Sequence, residues 1–420
     1  MTNEARQGAV SASSERRNQI AHEMQTLLMG HVISKSTDRS SGPTRNTTSS
    51  YTDAVRFDAE KRKIFRTLPL LAALTRDLPK PGDKMLFEDA GPPIVILRAK
   101  DGGIRAYLNM CPHRAAKVVE VCRSGSRITC PFHGWTFDLE GKLIGQPSAQ
   151  SFDNIDRQEL GLIRIPAVER HGLIFVRADP EATSIDIDSY LGDFAPELEL
   201  LEFARAKPIK RGRIEAGTNW KYALDTYGES YHLSTLHPDT VGKAAVNDTM
   251  IYQPFPPHHR IGYAPISMLD DTRKPSTEWP KRPFSAVHLL FPNTIVHVTA
   301  LGPGHTYLFY RVFPGRSAAQ SFTMMETYRS GEVPESDDVA PWEAMHDYQV
   351  RVIGTEDYRA ASAAQTNLAY APDGHTLVYG ANELSIQNFE QYVSNLIYDA
   401  DDDLVGDSPA CDQYAASSII

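Results

Sequence analysis

The chain has 420 residues, of which 41% are hydrophobic and 23% charged, and its formal net charge is −10. This composition is ordinary for a globular protein of two or three domains, and the negative charge argues against a general nucleic-acid-binding role. No apolar stretch of about 18 residues predicts a membrane span, no signal-peptide core is recognisable, and four cysteines do not make a disulfide framework. We therefore expect a cytoplasmic protein.

The N-terminal segment, residues 1–55, is polar and rich in Ser, Thr and Arg. This composition predicts a flexible extension, with one helix from Glu15 to Met29 and disorder from Ser34 to Ser50. We expect the folded domains to begin near residue 56.

Residues 56–190 have the pattern of an all-β domain. Short runs rich in β-branched and aromatic residues predict strands over Pro93–Arg98, Ile104–Asn109 and Gly172–Arg177. Turn-forming residues such as those at 101–103 separate the runs. The pattern predicts a small β-sandwich.

Two loops of this domain each carry one cysteine and one histidine: Cys111 and His113 in the first, Cys130 and His133 in the second. Two thiolates and two imidazoles are the ligand set of a Rieske [2Fe–2S] centre, in which the cysteines hold one iron and the histidines the other. Structural zinc is the alternative, but zinc sites usually pair like residues, as C-x2-4-C and then H-x3-5-H. The mixed couples favour the iron–sulfur cluster.

Residues 191–420 mix helix and strand signals and predict an α+β domain with an antiparallel sheet. The predicted strands are Ala206–Glu215, Ala286–Leu290, Thr294–Thr299 and Tyr307–Phe313. The predicted helices are Trp220–His232, Ala340–Ile353, Glu356–Ala369 and Ser385–Tyr398.

A second dense group of polar residues lies between positions 219 and 238. On a helix, Asp225 and Glu229 would share one face, and Glu229 could orient the imidazole of His232 three residues later. His232 and His237 could bind one metal only if the helix ends between them, which Pro238 favours. Two histidines with one distant carboxylate form the facial triad of non-haem iron(II) oxygenases. Taken alone, this spacing leaves structural histidines open as the alternative.

Together, the two groups resemble the large (alpha) subunits of Rieske-type non-haem iron ring-hydroxylating oxygenases. The resemblance implies a Rieske domain followed by a helix-grip-like catalytic domain, in which His232, His237 and Asp357 hold a mononuclear Fe(II). Asp357 is chosen because Glu356-Asp357 followed by Gln365 is similar to the family's third-ligand helix. The alternative is that Thr355 caps this helix and its acids serve the helix dipole.

The resemblance also implies the activity. Glu229 takes the position of a carboxylate that bridges the iron site to a cluster histidine of the adjacent subunit, and Glu229 and Asp225 are the candidate catalytic carboxylates. The expected reaction is hydroxylation of a small, mostly apolar, aromatic or ring-containing molecule with O2, as in aromatic hydrocarbon catabolism. The alternative is a monooxygenase that demethylates or cleaves a C–N bond of an amine or quaternary ammonium compound, because Glu rather than Asp at position 229 is similar to that branch.

The partners follow from the same resemblance. The sequence lacks the G-x-G-x-x-G dinucleotide fingerprint, so a separate NAD(P)H reductase, with or without a ferredoxin, must supply electrons. We expect a homotrimer, with or without a beta subunit, and neither a nucleic-acid nor a membrane partner.

Overall fold

The computed structural model describes residues 3–121, 124–301, 304–333 and 338–398, with side chains described from residue 12. The part of the predicted domain 191–420 that follows residue 398 lies outside these ranges. None of the helices within them combines the length and apolarity needed for a bilayer span.

The N-terminal segment is folded, which corrects the prediction of a flexible extension over residues 1–55. Its elements are α1 (Asn3–Ser34), β1 (Thr44–Thr47), α2 (Ser49–Thr52), α3 (Ala54–Glu60) and a π-helical turn (Lys61–Phe65). The predicted helix lies inside α1. Ile20, Met24 and Leu28 recur every four residues, so they share one face of α1 and are buried against strands of the second half of the chain.

The predicted disorder from Ser34 to Ser50 is also wrong. Backbone hydrogen bonds tie Asp38 to Met250 and Ser40 to Ala381. The strand β1 then pairs with β19 (Thr376–Tyr379). The partners of this segment lie more than 200 residues away, so its local composition could not reveal its structure.

The next ten strands form three small antiparallel sheets, as the β-sandwich prediction requires. They are β2 (Leu70–Leu74), β3 (Lys84–Phe87), β4 (Ile94–Arg98), β5 (Ile104–Leu108), β6 (Ile128–Thr129), β7 (Thr136–Phe137), β8 (Leu143–Gly145), β9 (Arg164–Ile165), β10 (Ala167–Arg170) and β11 (Leu173–Val176). The sheet orders are β10-β11-β2, β3-β4-β5-β9 and β6-β7-β8. In the sheet β6-β7-β8, the connection between β6 and β7 is the second Cys–His loop.

The region that the resemblance predicts to be catalytic is built on one seven-stranded antiparallel sheet of order β12-β18-β17-β16-β15-β14-β13, called the catalytic sheet below. Its strands are β12 (Lys207–Ala216), β13 (Ala245–Phe255), β14 (His258–Pro265), β15 (Ala286–Leu290), β16 (Thr294–Leu301), β17 (Gly304–Pro314) and β18 (Ser321–Arg329). Its helices are α4 (Ile187–Leu191), α5 (Ala195–Leu200), α6 (Trp220–Asp225), α7 (Leu233–Leu236), α8 (Met268–Asp271), α9 (Ala340–Val352), α10 (Tyr358–Leu368) and α11 (Leu384–Ile397).

Both faces of this sheet are covered. Along β16, Ile295 packs into the core shared with α6, α10 and α11, whereas its neighbour Val296 packs into the core shared with α1, α4 and α5. Such alternation is the period of a strand buried on both sides. The N-terminal helix α1 therefore covers one face of the catalytic sheet, and the opposite face is left for the site.

The two helices predicted over Ala340–Ile353 and Glu356–Ala369 are continuous in the structure. A π-helical turn, Ile353–Asp357, joins α9 to α10, and Thr355 donates its hydroxyl hydrogen bond back to Arg351 O instead of capping a new helix. Single π turns inside α-helices are frequently found at functional sites. Here the turn contains Asp357.

Candidate active site

The two Cys–His loops follow the same backbone path. In each, the cysteine C=O accepts a hydrogen bond from the N–H four residues on, that of Ala115 (2.9 Å) or Gly134 (3.1 Å). Those two residues have φ values of 59° and 73°. A glycine adopts this left-handed conformation freely, whereas another residue pays roughly 1–2 kcal/mol. The shared turn aims each cysteine and its histidine at the same point.

The loops bring the four predicted cluster ligands together. The Cys111 and Cys130 thiols are buried and interact with each other, and burial raises the pKa of the Cys111 thiol. The ring centroids of His113 and His133 are 4.5 Å apart. The buried Nδ1 of His113 has no hydrogen-bond partner among the described residues. A buried, unpaired imidazole nitrogen requires a ligand, so this donor set fits a [2Fe–2S] cluster.

His232, His237 and Asp357 converge at a cavity of about 580 Å³. One donor atom from each lies within 4.8 Å of the other two. Asp357 Oδ1 is 3.2 Å from His237 Nε2 and 3.6 Å from His232 Nε2. Two imidazole nitrogens and one carboxylate oxygen at an open cavity fit a mononuclear Fe(II) with free positions for dioxygen.

Each of these histidines has another carboxylate on its second ring nitrogen. Glu229 bonds to His232 Nδ1, and Glu356 Oε2 lies 2.6 Å from His237 Nδ1. Burial lowers the pKa of His237, but the hydrogen bonds and charges of the carboxylates at its two nitrogens outweigh burial and raise it. Such outer partners fix the ring orientation and increase ligand basicity.

Glu356 is a functional residue that the sequence analysis missed, since it was interpreted only as a helix-dipole acid. Its partner His237 is 119 positions away in the chain, and Thr240 donates a second hydrogen bond to the same oxygen at 2.7 Å. Neither contact leaves a signal in local spacing.

The chain from Trp220 to His232 does not form the single helix that was predicted. Helix α6 ends at Asp225, and the next helix, α7, is a single turn flanked by His232 and His237. Gly228 lies between them where α11 packs closely: an added Cβ would lie only 2.8 Å from Ser385 Oγ. This break turns both histidines toward Asp357.

Asp225 is not part of the iron site. Because α6 ends at this residue, Asp225 and Glu229 do not share a helix face, which corrects that prediction. The Asp225 carboxylate accepts a hydrogen bond from Tyr51 at 2.8 Å, and burial, followed by the charge of Glu390, raises its pKa. Asp225 is absent from the lining of the large cavity. The geometry therefore gives its predicted catalytic role no support.

The cavity lies between the sheet and the helix formed by α9 and its π turn. Its lining is mostly aliphatic and aromatic, and four tyrosines contribute: Tyr227, Tyr263, Tyr310 and Tyr348. Burial lowers the pKa of His297, in the same lining, to about 4, so this imidazole is neutral at physiological pH.

Two family models match the chain. The Rieske [2Fe-2S] domain model matches residues 69–163, and the model of the ring hydroxylating alpha subunit catalytic domain matches residues 203–398. The chain belongs to the Rieske-type ring-hydroxylating oxygenase alpha-subunit family. Both cofactors expected from the sequence, the [2Fe–2S] cluster and mononuclear iron, are those of this family. The domain limits 56–190 and 191–420 contain the two matches but stay a prediction.

Curated relatives within the Rieske oxygenase family act on different substrates. The carnitine monooxygenase oxygenase subunit of Escherichia coli (strain K12) is 33% identical over 190 residues, which are 45% of this chain and 50% of the relative. The glycine betaine monooxygenase oxygenase subunit of Pseudomonas aeruginosa (strain UCBPP-PA14) is 27% identical over 191 residues, 45% of this chain and 44% of the relative. The chain thus spans about half the length of these relatives.

Solved structures extend the fold comparison. A quaternary ammonium Rieske monooxygenase in complex with L-carnitine superimposes with a TM-score of 0.71 at 22% identity, covering 83% of this chain and 94% of that chain. Naphthalene 1,2-dioxygenase with bound indole gives 0.64 at 19% identity, covering 84% and 92%. At these identities the likeness shows the fold alone.

Proposed function

We propose that this chain is the oxygenase component of a Rieske monooxygenase that hydroxylates a C–H bond of a small organic molecule. The observation that carries the proposal is the convergence of His232, His237 and Asp357 at the cavity, in a chain that also holds a Rieske ligand set. When bound, the cluster supplies single electrons and the mononuclear iron activates dioxygen.

The protein residues have distinct tasks in this proposal. Glu229 and Glu356 hold the two imidazoles, and the apolar cavity restricts water around the substrate. We further propose that Glu229 meets His133 of a second copy in a homotrimer. Exposed aromatic side chains beside both groups, Phe132 at 56% and Tyr231 at 60% exposure, support a contact between copies. A separate reductase would deliver electrons from NAD(P)H, in the cytoplasm.

The proposed substrate carries an N-methyl group, and the carbon of this group is the one oxidised. The similarity to carnitine and glycine betaine monooxygenase subunits favours this alternative over an aromatic hydrocarbon. In addition, the faces of the tyrosines that line the cavity can hold a cationic nitrogen without a carboxylate. One oxygen atom of O2 enters the N–CH3 carbon, and the other leaves as water with two electrons and two protons. The hydroxylated carbon then separates from nitrogen as an aldehyde.

The test is reconstitution of the purified protein with a surrogate reductase, NADH, isotopically labelled O2 and a panel of methylated amines and aromatic hydrocarbons. We expect a red-brown protein containing a [2Fe–2S] cluster and a further iron, and the release of one aldehyde and one demethylated amine for each O2 consumed. Stoichiometric zinc in a colourless protein would contradict the oxygenase, and labelled products from aromatic compounds alone would contradict the amine substrate.

A further inference from the structure

The lining of the cavity follows β16, and the direction of this strand is taken as the axis of the cavity. Ile295, His297 and Thr299 occupy alternate positions of this strand, so they point to one side of the sheet, and all three line the cavity. Ile295 pairs with Tyr310, which is close enough to Asp357 for the carboxylate charge to influence its pKa. At about 3.3 Å per residue, Thr299 lies roughly 13 Å from this metal-ligand end.

Arg282 lies at the opposite end of the axis. It precedes β15, where Val287 pairs with His297 in antiparallel register, so residues before Val287 extend toward Thr299. Exposed residues surround this end, among them Pro283 and Ser285, which makes it the mouth. Of the described residues that line the cavity, Arg282 is the one lysine or arginine.

The guanidinium of Arg282 is held in place but retains binding capacity. Its Nη1 donates to Ser267 Oγ at 2.9 Å and its Nη2 to Asp271 Oδ2 at 2.5 Å. Asp271 also accepts a hydrogen bond from Lys274 at 2.8 Å, so one carboxylate serves two cations and the group carries a net positive charge. The Nε–H of Arg282 is buried and has no acceptor among the described residues. A buried, unpaired donor beside excess positive charge requires an anion or another acceptor.

The remaining ionisable groups of the cavity do not compensate Arg282. The lining carboxylates, Glu229 and Asp357, both contact the imidazoles at the metal-ligand end. His297, between the two ends, is neutral because burial lowers its pKa to about 4. The mouth is therefore positive, the two lining carboxylates lie at the metal-ligand end, and the described lining residues between the two ends offer no counter-charge to Arg282.

We propose that Arg282 binds a carboxylate of the substrate at the mouth, so that the substrate is an organic acid oxidised at the end remote from its carboxylate. This inference rests on the proposed function and adds that the substrate carries a carboxylate besides the group that is oxidised. A planar guanidinium is suited to a carboxylate because it presents parallel N–H donors, and the partial burial of Arg282 strengthens such a pair.

The test is calorimetric titration of the iron-loaded protein with two probe pairs: γ-butyrobetaine and its methyl ester, and hexanoate and hexanamide. In the wild type we expect the acid of at least one pair to bind about tenfold or more tightly than the counterpart that lacks the carboxylate charge. Arg282→Gln should abolish this preference while leaving binding of the counterpart unchanged. Lys281→Gln removes the same charge from the exposed neighbouring residue and should keep the preference.

Asp271→Asn separates ligand binding from a structural role of Arg282. This variant removes the ion pair but keeps the guanidinium, so the preference for the acid should persist or increase. Loss of the preference in Asp271→Asn as in Arg282→Gln would overturn the proposal, since Arg282 would then only anchor Asp271. Equal or absent binding of acid and counterpart in the wild type in both pairs would overturn it too. Failure of the proposed function shows separately, as no substrate-dependent oxygen uptake with any compound of the panel.

Discussion

At the metal site, each imidazole is held between two carboxylates, and the two carboxylates have unequal tasks. Asp357 lies between the Nε2 atoms of His232 and His237 and can ligate a metal together with them. Glu229 and Glu356 contact the Nδ1 atoms of the two rings, so they can act on a bound metal only through the rings. Substitution of an inner or an outer carboxylate should therefore have different effects.

Asp357→Ala should lose the mononuclear iron and keep the visible spectrum of the cluster, because it removes a ligand. Glu356→Gln should keep the ligands but weaken iron affinity about 10–100-fold, because His237 loses the negative charge that raises the basicity of its ring. Metal analysis during titration with a chelator measures both. Asp347→Asn, on the exposed side of α9, is the matched control and should behave as wild type. Full iron retention in Asp357→Ala would place the third ligand elsewhere.

Glu229→Gln should leave both iron sites occupied and slow electron transfer between them. The amide retains size and hydrogen-bonding capacity but not the charge that favours the orientation and basicity of His232. Rapid-mixing measurement of cluster reoxidation, with substrate and dioxygen present, should show a decrease of orders of magnitude, and Glu229→Asp should retain more activity. Reoxidation at the wild-type rate would show that Glu229 is not part of the electron path.

Sequence reasoning succeeded where chemistry is concentrated in short motifs. The four cluster residues lie together, and so do His232, His237 and Asp357. Scarce residue types at a fixed spacing pointed to the cysteines and histidines, whereas Asp357 was chosen from the resemblance to the family's third-ligand helix, because spacing does not single out one of many carboxylates. It missed Glu356 and Arg282, whose importance depends on which side chains the fold brings opposite them. Without those contacts, Glu356 and Arg282 cannot be distinguished from the many other acidic residues and arginines of the chain.

At the scale of elements, the paired Cys–His loops share one turn but differ in the residue that adopts positive φ. Gly134→Ala should destabilise its loop by about 1–2 kcal/mol, since its new Cβ meets only Pro147 at 3.4 Å and the cost is mostly the backbone conformation. Ala115→Gly should be neutral or slightly stabilising, because relief of strain opposes a more flexible unfolded chain. Thermal loss of the visible cluster absorbance compares them. Equal effects of the two substitutions would contradict the shared-turn interpretation.

The helix α1 offers a direct comparison of two adjacent leucines. Leu28 is 4% exposed in the core beneath the sheet, whereas Leu27 is 59% exposed. Leu28→Ala should lower the free energy of unfolding by about 2–5 kcal/mol, and Leu27→Ala should change it by less than about 0.5 kcal/mol. Denaturant titration measures both. Equal, small effects would show that α1 does not belong to the folded core in solution.

Helices and strands could be predicted where the residues that determine them are neighbours in the sequence. The strand Ala286–Leu290 has the predicted bounds, whereas β16 is two residues longer and β17 four residues longer than predicted. The helix over Trp220–His232 was wrong because its interruption depends on contact between Gly228 and α11. The length of α1 was predicted too short because most of its residues are polar. Its one apolar face is buried only because the catalytic sheet packs against it.

At the scale of the whole molecule, burial of both faces of the catalytic sheet places neutral imidazoles in its interior. Burial lowers the pKa of His258 to about 4 and that of His259 to about 3. His258 is bound in its neutral form: its Nδ1 accepts a hydrogen bond from Phe291 N at 3.0 Å, and its Nε2 donates to Tyr190 O at 2.9 Å. Protonation would remove the acceptor, so acid should act on the fold as a whole.

The sign of this pH dependence follows from the two states. In the unfolded chain these histidines take up protons below a pKa of about 6.5, whereas in the folded protein they remain neutral until about pH 4 or lower. The unfolded state therefore binds more protons between these values, and the free energy of unfolding should fall as the pH falls through this window, by up to about 1.4 kcal/mol per pH unit for each histidine. Denaturant midpoints at pH 7.5, 6 and 5 should decrease in that order. His259→Leu removes one titrating group and should make the decrease shallower, whereas an unchanged slope would show that His259 does not contribute to acid sensitivity.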